Sequence, residues 1–397
     1  MRSSSPAGEG RPAALLLALL LAACSRGDPS PRPAADDAVT VTIGHAGPLT
    51  GSIAHQGKDD ENGVALALEQ ANAKGLRIGG RIIVLRMKSE DDQGDPKVGT
   101  LVAQKLVDAK VAAVIGHLNS GVTIPASEIY HRAGIPVISG SATNPALTER
   151  GMKGVFRTVG RDDQQGPAIA AYIAGELGAK RVAIVDDKTA YGEGLANEVE
   201  RALRAAKVTL VGRERVTDKE TDFKAILTRI KERGADVVFH GGMDATGGLM
   251  VRQARELGLK AQFAFGDGAC TEEMAALAGA AGEGMACSQA GVPAAAASRE
   301  FLEAFAARFG PTKLYAPYFY DATNVVIEAM RRADSVDPAR FMPEMYEVSL
   351  QGATGRIEFD AKGDRKGAEM TLFRLRGGRI VPVGVFRDGA ISPLDPR

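Results

Sequence analysis

Short apolar runs alternate with amphipathic stretches along most of this chain. Residues 111–115 (Val-Ala-Ala-Val-Ile) and 135–138 (Ile-Pro-Val-Ile) are apolar throughout. That pattern predicts strands buried on both faces of a parallel sheet. Residues 39–43 alternate Val and Thr before Ile43 and predict the first strand. Further strands are expected over 81–87, 155–159, 181–185, 208–216, 237–240 and 262–265. Between them lie helical patterns. In 221–233, Phe223, Ile226, Leu227 and Ile230 fall at i, i+3, i+4 and i+7, one face of a helix. Helices are also expected over 58–72, from 96, from 123 with Pro125 in the first turn, and over 164–177, 192–206 and 246–257. Two blocks of strand–helix alternation, restarting after 155–159, predict two doubly wound α/β domains. The tail differs. Helices are expected over 298–309 and 315–332, then strands over 355–359, 369–375 and 380–386. It is too short for a third such domain and returns to complete the first two.

This pattern sets where chemistry belongs, because open α/β sheets bind ligands at the carboxyl ends of their strands. The two strands at 111–115 and 135–138 release small polar loops there, one with Asn119, Ser120 and Gly121, the other with Ser141, Ala142, Thr143 and Asn144. Each loop leads into a helix N-terminus, which favours an anion. Ser120, Ser141 and Thr143, with backbone N–H groups, form a candidate carboxylate site. Taken singly, each hydroxyl is equally explained as a helix cap. Asp162, Asp267 and Asp244 lie at comparable positions and are candidates for an ammonium. Tyr191 is placed to cover the ligand. The acidic run Glu90-Asp91-Asp92 reads as a solvated turn rather than a metal site. His117 and His240, at strand ends, read as structural. The aromatic run 314–320 reads as core.

Length and charge narrow the choices. The 397 residues carry 49 Lys and Arg against 49 Asp and Glu, with no basic stripe for nucleic acid. No GxSxG elbow, Walker A loop or HExxH motif occurs. Gly192-Glu193-Gly194 begins a dinucleotide turn, but Asn197 stands where the third glycine belongs. No cofactor, metal or enzyme activity is expected. Of three cysteines, Cys24 directly follows the apolar run 13–23, which is too short for a stable transmembrane helix. With Arg2 and Arg11 upstream, residues 1–23 read as an export signal. Leu21-Ala22-Ala23-Cys24 resembles a bacterial lipobox, in which the Cys is lipidated. Residues 24–38 are then a flexible tether. The export compartment permits a disulfide between Cys270 and Cys287; two free buried cysteines would leave the same sequence.

Taken together, Gly47-Pro48-Leu49-Thr50-Gly51, Gly116-His117-Leu118-Asn119-Ser120, Ser141-Ala142-Thr143-Asn144-Pro145, Asp162-Asp163-Gln164-Gln165-Gly166-Pro167, Tyr191-Gly192-Glu193-Gly194, Gly241-Gly242 and Asp360-Ala361-Lys362-Gly363-Asp364 resemble the leucine/isoleucine/valine-binding proteins of ABC importers. The resemblance implies a type I periplasmic binding protein: two Rossmann-like lobes joined by three crossovers, closing on an amino acid. It implies lobe 1 from residues 39–161 and 291–366, and lobe 2 from 162–290 and 367–397. Ser120, Ser141, Ala142 and Thr143 would bind from the first lobe; Tyr191, Met243 and Asp267 from the second. Asp267 stands where the family has a Glu on the ammonium, and Asp162 matches a cleft or hinge-side Asp. Met243 replaces a cleft Tyr, Gly121 and Val122 replace serines, and Gly94 and Asn119 stand where the family has a disulfide. The implied partners are a small amino acid and an inner-membrane permease. The implied location is the periplasm or cell surface, as a lipid-anchored monomer. The alternative is a receptor or regulator on the same lobes for a small amide or aromatic carboxylate. A second is a hydrolase or dehydrogenase on two α/β domains.

Overall fold

A computed structural model describes residues 38–393. The expected signal, Cys24 and nearly all of the tether lie outside that range. Six strands form the first sheet in the order Leu76–Ile78, Arg81–Asp91, Ala38–Gly47, Ala113–Gly116, Val137–Ser139, Val155–Arg157. All pair parallel except the short outer strand Leu76–Ile78. Ile43 lies opposite Ala113, Val114 opposite Val137 and Ile138 opposite Phe156. The second sheet has eight strands. Thr209–Arg215, Arg181–Asp186, Val237–Gly241, Gln262–Phe265 and Ala286–Gln289 run parallel. Met370–Arg376, Arg379–Arg387 and Ala390–Ser392 add antiparallel to that end. Val237–Gly241 is buried along its whole length, as a central strand must be, whereas the outer Thr209–Arg215 has no fully buried residue.

The chain passes between the sheets three times: after Val155–Arg157, after Ala286–Gln289, and before Met370–Arg376. The tail divides as expected. Tyr318, Phe319, Val325 and Met330 of the helix Ala316–Arg332 pack with Ile43, Leu85 and Ile115 of the first sheet. Phe373 and Leu375 join the core of the second with Val238 and Phe263. Gly63 in the helix Ala54–Lys74 lets that helix touch the start of the tail helix Ala316–Arg332. A Cβ there would come within 2.3 Å of the Ala316 carbonyl.

Several local expectations change. The helix expected from residue 123 spans Ser120–Ala133, so Pro125 lies in its interior rather than in its first turn. Ser120 is thus the first residue of that helix rather than part of the loop before it. The helix after the second loop is a single turn, Ala146–Glu149. The acidic run is not a solvated turn. Glu90 and Asp91 close the strand Arg81–Asp91, and Asp92 is fully buried. Asp92 Oδ2 lies 2.7 Å from His117 Nδ1, and His117 Nε2 lies 3.0 Å from the Tyr130 hydroxyl. This buried chain explains all three polar groups as structure. Cys270 and Cys287 are bonded, with sulfurs 2.05 Å apart.

Candidate functional site

The two small polar loops of the first sheet are tied to each other. His117 O accepts from Ser139 Oγ at 2.7 Å and from Thr123 Oγ1 at 3.2 Å. Ser141 Oγ donates to Leu118 O at 2.9 Å, and Ser120 Oγ accepts from the Asn144 N–H at 3.2 Å. The N–H groups of Ser141 and Ala142 are taken by Ser139 Oγ. Arg157 supports the second loop from beneath. It is fully buried, donates to Ala142 O (2.7 Å) and Asn144 O (3.0 Å), and pairs with Asp364 at 2.6 Å. A buried guanidinium is tolerated because five donors meet a carboxylate and fixed carbonyls. Through Asp364 the last passage between the sheets reaches the binding loop.

Across from these loops, the second sheet releases Tyr191, Met243 and Asp267 from successive strand ends. Asp267 opens a short 3-10 turn and is buried. Its Oδ1 accepts from the Tyr191 hydroxyl at 2.7 Å, and its Oδ2 accepts a very short bond from the Tyr315 hydroxyl. Tyr191 Oη also accepts from the Gly268 N–H at 2.8 Å. A Cβ at Gly268 would meet the Tyr191 ring at 2.9 Å, so that approach needs glycine. Burial pushes the Asp267 carboxyl up from its ordinary range, while the bonds from Tyr315 and Tyr191 work against the rise. Asp162 is raised further, by burial and then by the negative charge of Asp267; the Thr143 hydroxyl beside it opposes. Neither Asp162 oxygen makes a hydrogen bond of good geometry, nor does Thr143 Oγ1.

Ser120, Ser141, Tyr191, Met243 and Asp267 therefore line one hollow. Ala142, Thr143 and Asp162 are buried but do not line it. Asp244, a candidate for an ammonium, does not line the hollow, and its Oδ1 is buried and accepts nothing. Its Oδ2 accepts from Gln56 (3.1 Å) and Thr271 (2.7 Å) and lies 2.8 Å from His55 Nε2. Two further residues of the hollow, Gln56 and Tyr315, escaped the sequence reading. Tyr315 was assigned to core along with its aromatic neighbours. Its ring does lie in the core of the first sheet with Tyr318 and Phe319, but its hydroxyl reaches Asp267. A signal for Gln56 was its place soon after the first strand, in the first turn of the helix Ala54–Lys74 and at the same sheet edge as the other sites.

The hollow is tight, with room for about one water molecule. Contacts across it hold the two sides together: His55 on Asp244, Gln56 Nε2 on Gly268 O, and Asn144 Nδ2 on Ala190 O at 2.6 Å. It adjoins a wider cleft of about 440 Å³, and the two share Asn119, Tyr191 and Met243. The arrangement offers hydroxyls and a helix start on one side and a buried carboxylate on the other. That suits a small molecule carrying both charges. No helix among the described residues is long and apolar enough to cross a membrane.

Known proteins share this architecture. A family model described as periplasmic binding protein matches residues 40–379. Leu/Ile/Val-binding protein homolog 2 of Brucella abortus (strain 2308) is 39% identical over 343 residues, 85% of this chain and 91% of that protein. The crystal structure of a leucine binding protein, LivK, from Thermotoga maritima superposes with a TM-score of 0.81 at 26% identity, covering 88% of this chain and 99% of the other. The substrate binding protein LivJ of Streptococcus pneumoniae, in complex with isoleucine, gives 0.78 at 26% identity over 90% and 100%. With two wound sheets, three passages between them and a cleft at their facing strand ends, the chain belongs to the periplasmic binding protein family and has its type I fold.

Proposed function

We propose that this protein is the extracytoplasmic substrate-binding component of an ABC importer and carries a small amino acid between its two halves. One observation carries the reading: Ser120 and Ser141 from the first sheet meet Tyr191, Met243 and Asp267 from the second around a single hollow. The Brucella relative named for leucine, isoleucine and valine, and the Streptococcus structure named for its isoleucine complex, support an amino-acid ligand.

In this reading the hydroxyls of Ser120, Ser141 and Thr143 hold the carboxylate, while the Ala142 N–H stays on Ser139 Oγ and shapes the loop that carries them. Asp267 takes the ammonium, with Asp162 behind it, Tyr191 covers the ligand, and Met243 packs on its side chain. Residues 39–161 with 291–366 form one lobe, and 162–290 with 367–397 the other. Entry requires them to part, breaking the contacts of Asn144 with Ala190 and of His55 with Asp244. The ligand then favours closure because it touches both. Binding needs no cofactor and no covalent step. Cleavage after residue 23 leaves a lipidated Cys24, and the tether 24–38 holds a monomer at the membrane near its permease, in the periplasm or at the cell surface.

A thermal-shift screen of the purified protein against the twenty amino acids tests this. A ligand at about 100 times its dissociation constant adds about 2.7 kcal/mol of stability. At least one amino acid is expected to give a shift of that size. No shift with any of them contradicts the proposal.

A further inference from the structure

The wall of the hollow formed by Gln56, Asn119 and Leu118, beside Met243, has no assigned partner in the ligand. Gln56 is 1% exposed. Its Nε2 donates to Asp244 Oδ2 and to Gly268 O, which fixes the amide orientation. Its Oε1 is buried and accepts nothing. Asn119 repeats the pattern. Its Oδ1 is buried and accepts nothing, and its Nδ2 finds only the Met243 sulfur at 3.9 Å, a weak acceptor. Although Asn119 sits at the N-cap of the helix Ser120–Ala133, its side chain makes no capping bond. Two amide carbonyls on one wall thus await donors, whereas buried polar groups are ordinarily satisfied.

From these residues we infer that the ligand is an amino acid whose side chain ends in an N–H or O–H donor, a carboxamide being the type, and that Gln56 and Asn119 read that donor. The inference rests on the amino-acid reading above. The ligand's carboxylate is itself an acceptor and cannot satisfy these carbonyls. Its ammonium is drawn to the Asp267 side. What remains is the side chain. An –NH2 group brings two donors to two acceptors, and Leu118 and Met243 supply apolar surface for the methylenes leading to it. An aliphatic side chain would leave both carbonyls buried and unpaired. A site built to hydrogen-bond discriminates strongly against analogues lacking the group.

The test is a titration of the purified protein with glutamine, asparagine, serine and threonine, with leucine, isoleucine and valine, and with lysine and arginine. The tightest ligand is expected among the first four, at least tenfold tighter than leucine. Asn119→Leu and Gln56→Met are each expected to weaken that ligand at least tenfold and to move preference toward leucine. Because Gln56 also holds Asp244, Asn119→Leu decides if the other variant fails to fold. Leucine, isoleucine or valine binding as tightly as any of the first four overturns the inference and leaves the amino-acid reading standing. So does tighter binding of lysine or arginine. Binding of none of these nine overturns the inference, and the amino-acid reading falls with it only if none of the twenty amino acids binds.

Discussion

At Asp187 a carboxylate is buried beside the cleft, with Oδ1 accepting from the Thr189 N–H and hydroxyl and Oδ2 accepting nothing. Burial pushes its pKa from the usual 3.8 up to about 6, against the pull of Thr189. An acid raised in this way holds its proton more tightly when folded. Its contribution to stability is therefore full below about pH 4 and is lost as the pH climbs through about 6. Asp187→Asn keeps the shape and removes the charge. Chemical denaturation of both proteins at pH 4 and pH 7.5 is expected to show the variant gaining about 2–3 kcal/mol on the wild type between the two. A difference that stays flat contradicts the assignment. At this scale the sequence spoke unevenly. Ser120, Ser141, Tyr191 and Asp267 were recognisable because they follow buried strands at the ligand-binding edge. Arg157 was not, since its burial makes sense only with Asp364, 207 residues further on. Gln56 and Tyr315 were hidden for a related reason: their partners come from the opposite sheet.

Among the elements, the continuous apolar strands and the helix face of Phe223, Leu227 and Ile230 were readable from periodicity, and only their ends moved. That helix spans Lys224–Glu232, three residues shorter at its start than the pattern suggested. The helix Pro338–Tyr346 went unread. Asp337 caps it and Pro338 opens it, but Pro343 in its interior disguises it. The strand Leu76–Ile78 has too few residues for any period to show. The Cys270–Cys287 bond encloses the helix Glu272–Ala278, a sequence separation of 17, and the turn Asp267–Ala269 leads directly into it. A loop of about that size restricts the unfolded chain by about 3 kcal/mol. Replacing both cysteines by alanine is expected to lower unfolding stability by that order, read as a shift in denaturation midpoint. Because the bond lies next to Asp267, a loss of ligand affinity is expected as well. Unchanged stability contradicts a structural bond.

For the whole molecule, the strand–helix rhythm told of two sheets, and the change of rhythm after residue 298 told that the tail belongs to both. Helix Ala316–Arg332 packs on the first sheet, and strands Met370–Arg376 and Arg379–Arg387 extend the second. What no pattern in the chain disclosed is how close the halves come. That depends on long-range contacts such as Asn144 on Ala190 and Tyr315 on Asp267, and these leave a hollow far smaller than an amino acid. Opening and closing is thus the central claim about the molecule, with Asp267 as the anchor for the positive pole. The most direct measurement is isothermal titration of the wild type and Asp267→Ala with the tightest-binding amino acid and with the same acid lacking its α-amino group. The account predicts one-to-one binding to the wild type, weakened at least a hundredfold by either change. Equal affinity for the deaminated acid, or unchanged binding to Asp267→Ala, would contradict it.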